Sequence, residues 1–203
     1  FHFDPEHMWS TRVNPVDQAT SPLMSLYIAS LIMENTSLDS HSGDQIWETS
    51  ERLLLTALLL DANMKQEHLG SIRWLLRKGP VGIGDVLLQS PSRLAKAEYI
   101  SFLNNSLEGF RAGVVAGLMQ RLNLWIIPEI VAVTEKSDFT PEDLQNDLFT
   151  FYLSTPAEKS AFTPLMSMVF NYVWSIALAK ATRPHPMMLL LDEFINFGRI
   201  PSM

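Results

Sequence analysis

Met187-Met188-Leu189-Leu190-Leu191-Asp192-Glu193 is the stretch on which the reading of this chain turns. Its apolar run has the length and character of a strand buried on both faces of a parallel sheet. The acidic pair then falls at the strand's carboxyl end, where open α/β sheets bind their ligands. That is the shape of a Walker B element, with Asp192 the candidate Mg²⁺ ligand of a bound nucleotide. Glu193 is the candidate catalytic carboxylate, orienting or deprotonating the attacking water. The same residues admit a plainer use, Asp192 capping a helix that starts at Phe194.

Upstream, Leu148-Phe149-Thr150-Phe151-Tyr152-Leu153 reads as a second buried strand, and Phe162 to Ala181 as the long helix between the two. Strand, helix and strand in that order are the parallel α/β signature. Ile126-Ile127 and Ile130-Val131-Ala132-Val133 add short β-rich runs. Over 22–122 the period is helical. Ser21-Pro22 starts a helix through Ile32, and Asp44 caps a second one carrying Trp47 and the leucines from Leu53 to Leu60. A third runs from Lys65 to Arg77 and stops at Gly79-Pro80, followed by helices at Ile83 to Gln89, Ser92 to Phe102 and Ser106 to Leu122. The expected architecture is mainly α: an all-α domain over 22–122, inserted in a partial RecA-like, P-loop-type α/β domain. Residues 1–21 supply a strand end and linker of that α/β domain, and 123–203 supply the rest.

Composition narrows the partners. The hydrophobic share of 47% is enough for a sizeable core, and a net charge of −7 with interleaved signs leaves no basic stripe for nucleic-acid phosphates. With no cysteine, disulfides and thiolate metal sites are excluded. The five histidines show no paired spacing that suits zinc. Ser160 to Ala179 carries no charge and is near bilayer-spanning length, yet Pro164, Asn171 and several hydroxyls favour a buried helix. Phe1 and Met203 both have the look of cut ends, so the chain reads as a fragment that is itself soluble.

No Gly-x-x-x-x-Gly-Lys-Ser/Thr occurs, and Lys78-Gly79-Pro80 comes nearest without matching. Without backbone amides and a lysine to cradle phosphates, the acidic pair has little to hold a nucleotide with. The fragment is therefore expected to bind no cofactor and to hydrolyse no ATP.

The string Leu189-Leu190-Leu191-Asp192-Glu193-Phe194, with Gly198 and Ile200-Pro201 after it, resembles the Walker B region of type IV secretion coupling proteins, the TraG/TraD-like conjugative ATPases. Thr134-Glu135-Lys136-Ser137-Asp138-Phe139 looks like that family's Thr-x-x-Ser-Asp-Phe segment. Asn14-Pro15-Val16-Asp17 is similar to its Asn-Pro-Leu-Asp element, with Val13 where an aromatic is usual. Trp47 with Glu48 resembles the opening of the family's all-α domain. The resemblance implies a hexameric ATPase at the cytoplasmic face of the bacterial inner membrane. Such a parent binds Mg-ATP with Asp192 as the Mg²⁺-linked acid and Glu193 as the catalytic one, and delivers relaxase-bound DNA or protein substrates to a secretion channel. It also implies that the all-α domain selects substrates. Two alternatives stand beside it: another P-loop DNA pump of the FtsK or HerA type, and a stand-alone helical adaptor with a degenerate ATPase remnant.

Weaker features have bland readings. Gly109, Gly113 and Gly117 recur every four residues and suit close helix packing. Trp47 and Trp74 are expected in the core. Arg73, Arg77 and Lys78, a local basic cluster, are expected to be a solvated helix end.

Overall fold

A helix built on Leu53-Leu54-Leu55-Thr56-Ala57-Leu58-Leu59-Leu60 has no polar face, so other elements must surround it. The computed structural model places it so. The structure describes residues 1–36, 45–105, 107–154, 160–178 and 188–192. Helix α2 (Gln45–Met64) is buried without a break from Leu54 to Ala62. Around it pack α1 (Pro22–Asn35), α3 (Leu69–Leu76), α5 (Arg93–Asn105) and α6 (Glu108–Arg121). Helix α4 (Gly79–Leu88) rests on α3, α5 and α6, while α9 (Thr163–Leu178) lies along α1. One apolar cluster runs through all of these elements, from Phe3 to Tyr172. The chain is mainly helical.

Local chemistry sets the ends. Ser21 caps α1, its hydroxyl accepting from the Met24 amide, with Pro22 in the first turn. Gly79 takes a φ of 67°, which a residue with a Cβ adopts only with strain. The Gly79-Pro80 pair thus ends α3 and begins α4 in one step. The glycines of α6 divide their work. A Cβ on Gly113 would collide with the Trp47 ring, and one on Gly117 with the Glu51 carboxyl, so both let α2 side chains lie on the α6 backbone. Gly109 meets nothing.

Glu51 and Arg121 meet in that contact. Arg121 Nε donates to Glu51 Oε2 at 2.7 Å, and its Nη1 donates to the Met33 and Thr36 carbonyls, both at 3.2 Å. Both side chains are buried, so the pair stitches α2 and α6 to the end of α1.

Several expectations for the sheet are corrected. Ile130 to Val133 is helical, in α7 (Pro128–Thr134). Pro128 opens its first turn, and Ile130 and Val133, three residues apart, share the buried face. Tertiary packing here outweighs the β preference of branched side chains. Ile126 falls in a 3₁₀ turn, Asn123–Ile126, and a helix missed in the sequence, α8 (Pro141–Asn146), starts with a Thr140–Asp143 capping box. Of the run 148–153 only β2 (Tyr152–Leu153) pairs, in parallel with β1 (His2–Phe3); Leu148 is 81% exposed. Met188 to Leu191 is exposed and forms no strand among the described residues, where its backbone joins no ladder. Met187 lies outside the described residues, as do Asp44 and the Asn35 to Gly43 loop beyond Thr36. Trp74 is 68% exposed and Trp47 38%, so neither is a core residue.

The uncharged segment is the buried helix α9. Its Asn171 side chain accepts from the Tyr27 hydroxyl at 2.6 Å and donates to the Ser167 carbonyl at 2.8 Å, satisfying its polarity inside the protein. Among the described residues no helix is long and apolar enough to cross a membrane.

Candidate functional site

Asp192 sits at an exposed bend, and Glu193 lies outside the described residues. No group of three or more metal-ligating side chains occurs among the described residues. Among the described residues Asp192 is a solvent-facing carboxylate with no phosphate cradle beside it, and no step of ATP chemistry follows from this arrangement.

What the fold does bring together are two of the sequence segments singled out above, Asn14 to Asp17 and Thr134 to Phe139, 120 residues apart at the Asp17–Ser137 bond. Asn14 is 2% exposed and is the hub. Its amide donates to Ser137 Oγ at 3.0 Å, and its Oδ1 accepts from the Val16 amide. Its Nδ2 donates to Asp17 Oδ1 and to the Glu67 carbonyl, both at 3.1 Å. Ser137 Oγ in turn donates to Asp17 Oδ2 at 2.6 Å. Next to this, the Arg12 guanidinium donates twice to Asp138 Oδ1, at 2.7 and 3.0 Å, and the Arg12 amide donates to Asp138 Oδ2 at 2.8 Å. Burial pushes the Asp138 carboxyl up, but the hydrogen bonds and charge of Arg12 outweigh it, and the net direction is below the usual carboxylate value. The hydrogen bond to Asp138 correspondingly raises Arg12.

The remaining motif residues have packing roles. Phe139 inserts among the rings of Phe1, Phe151 and Tyr172, at centroid distances of 5.1, 5.6 and 5.8 Å. The Thr134 hydroxyl accepts from Trp125 Nε1 and donates to the Ile130 carbonyl. An open cleft of about 570 Å³ lies over the junction, walled by Asp17, Ser137, Asp138, Asp143 and Tyr172. Its carboxylates are held by donors: Asp17 by Asn14 and Ser137, Asp138 by Arg12, Asp143 by the Thr140 amide. These hydrogen bonds run from one segment to the other, so the junction acts as a clamp. Sequence reading identified both segments but not their pairing. Arg12 was the missing signal, a cation two residues ahead of Asn14.

The profile of the family described as Type IV secretory system Conjugative DNA transfer matches residues 88–203. Protein VirD4 of Agrobacterium fabrum is 35% identical over 86 residues, which is 40% of this chain and 13% of that protein. Protein VirD4 of Rhizobium radiobacter is likewise 35% identical over 86 residues, 40% of this chain and 12% of that protein. Protein VirD4 of Rhizobium rhizogenes is 34% identical over the same length, covering 13% of its own. The chain thus spans a small part of the curated relatives it matches. The profile takes in more than half of the chain and includes the Ser137-Asp138-Phe139 side of the clamp together with Asp192-Glu193, and the chain belongs to the type IV secretory system conjugative DNA transfer family.

Proposed function

We propose that this chain is part of a type IV secretion coupling ATPase, and that its helical body recruits the relaxase–DNA complex or protein substrate which the parent passes to the secretion channel. The observation that carries this reading is the family match over 88–203, joined to the clamp that fastens the Asn14 and Ser137 segments to the helical body. In the parent, 22–122 is an all-α domain inserted in a RecA-like domain made in part from 1–21 and 123–203. Asp192 serves as the acid linked to Mg-ATP and Glu193 as the catalytic one, alongside a phosphate loop this chain does not contain. The parent acts as a hexamer at the cytoplasmic face of the inner membrane. DNA is handled by the assembled parent, since a chain of net charge −7 is a poor phosphate binder.

The test has two arms. Tagged chain is expected to capture the cognate relaxase from a mixture of purified transfer proteins, and Glu193→Gln in the parent is expected to abolish both DNA transfer and ATP turnover. A folded chain that captures no substrate removes the recruitment role, and a Glu193→Gln parent with normal turnover removes the site assignment.

A further inference from the structure

The basic cluster Arg73, Arg77 and Lys78 is not simply a solvated helix end. Trp74, between the first two, is 68% exposed, and the Arg77 guanidinium carbon stands 4.6 Å from the centre of its ring. Arg73 Nε and Nη1 are buried with no hydrogen-bond partner. Neither arginine forms an ion pair among the described residues. A cleft of about 370 Å³ opens beside them, with an apolar floor that includes Ile126, Pro128 and Val131. Ile126 is 58% exposed. A second cleft, about 570 Å³, lies against the same Trp74 and Val131 and carries Lys78 at its wall.

We infer that this face is a docking surface for an acidic segment of a partner protein, a carboxylate pairing with Arg73 and Arg77 while a neighbouring apolar side chain packs on Trp74. The charge argument is direct. Arg73 has buried nitrogens without an acceptor among the described residues, Arg77 stands beside it in solvent, and a guanidinium takes a carboxylate through two parallel bonds. Burial and the neighbouring Arg77 both push Arg73 down, a repulsion that a bound anion relieves. The apolar floor and exposed indole suit a peptide anchor, since tryptophan and arginine together make the commonest kind of binding hot spot. A nucleic-acid strand fits less well. Its phosphates repeat along the strand, whereas the face offers two guanidiniums and then meets Glu135, room for one or two carboxylates rather than a run of phosphates.

The inference rests on the recruitment reading only for the identity of the partner. A fluorescein-labelled peptide, Gly-Glu-Glu-Leu-Phe-Glu-Glu-Gly, titrated with the whole chain at low salt reads it by anisotropy. The acidic peptide is expected to bind at least about tenfold tighter than its lysine-for-glutamate counterpart, and Arg77→Glu or Trp74→Ser to weaken it by about tenfold each, the scale of a hot-spot residue. Arg77→Lys, which keeps charge but not the fork, is expected to fall between. Both positions are exposed, so helix content by circular dichroism should stay unchanged. Equal binding of the two peptides overturns the inference. So does tighter binding of a single-stranded oligonucleotide of equal charge, or salt-sensitive self-association that Arg77→Glu removes, which would assign the face to a second copy. If relaxase is captured equally by wild type and Arg77→Glu, recruitment stands and this surface falls. A chain that binds the acidic peptide but captures no relaxase keeps the surface and loses recruitment.

Discussion

The α2–α6 contact and the Asn14–Ser137 clamp join distant parts of the chain by different physics. In the first, a leucine-rich helix is enclosed on all sides, and the Glu51–Arg121 ion pair inside has been taken out of water. In the second, a network of neutral and charged hydrogen bonds ties two segments, buried at Asn14 and open to solvent at Arg12 and Asp138. Buried polar groups are costly to orphan, whereas surface ones are replaced by water at little loss. The enclosed contact is therefore all-or-none, and the clamp is adjustable.

That contrast can be broken most sharply at Arg121. Arg121→Met leaves Glu51 charged and buried, and a loss of about 3–5 kcal/mol in denaturant unfolding is expected. Glu51→Leu combined with Arg121→Met is expected to regain most of it, because an apolar pair has no desolvation to repay. A double variant as unstable as the single one would show that geometry rather than charge holds this contact. Gly117→Ala comes next, since its new Cβ meets a Glu51 carboxyl that Arg121 prevents from moving. About 1–3 kcal/mol of overpacking is expected, visible as a lowered melting temperature. Gly109→Ala, facing open space, is expected to be neutral or slightly stabilising.

At the clamp the effects stay below that of Arg121→Met. Asn14→Ala removes the buried hub and is expected to cost about 1–3 kcal/mol, chiefly by orphaning the Val16 amide and Glu67 carbonyl. Hydrogen exchange should then rise in 12–18 and 137–139 while α2 stays protected. The smallest effect is acid sensitivity through Asp138. Its carboxyl is lower in the folded chain than its ordinary 3.8, so the unfolded chain binds the proton more readily. The stabilisation is thus complete above that value and is lost as pH falls through the lower folded value. In an acid titration followed by tryptophan fluorescence, Asp138→Asn should flatten that part of the curve. A curve identical to wild type would remove Asp138 as its source.

The two regions were unequally legible. Ser21-Pro22 and Gly79-Pro80 act through their own backbone, so their roles as starts and stops could be read locally. Ile130 to Val133 could not, because short branched runs have no fixed preference once a neighbouring face decides which side is buried. Trp74 misled for a related reason. An aromatic on an apolar helical face is drawn inward only if another element covers that face, and in the described structure none does.

By itself the sequence determined a mainly helical chain, the packing use of Gly113 and Gly117, the net acidity, and the motifs that place the chain in its family. Those are properties of single residues or of short spacings. Only the tertiary structure decided that Asn14 holds Ser137, that Arg12 holds Asp138, that Glu51 meets Arg121, and that Arg73 keeps buried nitrogens without acceptors beside an exposed indole. Each of these is a meeting of groups set by how helices enclose one another, and neither burial nor partner is a property a residue has until the chain around it is folded.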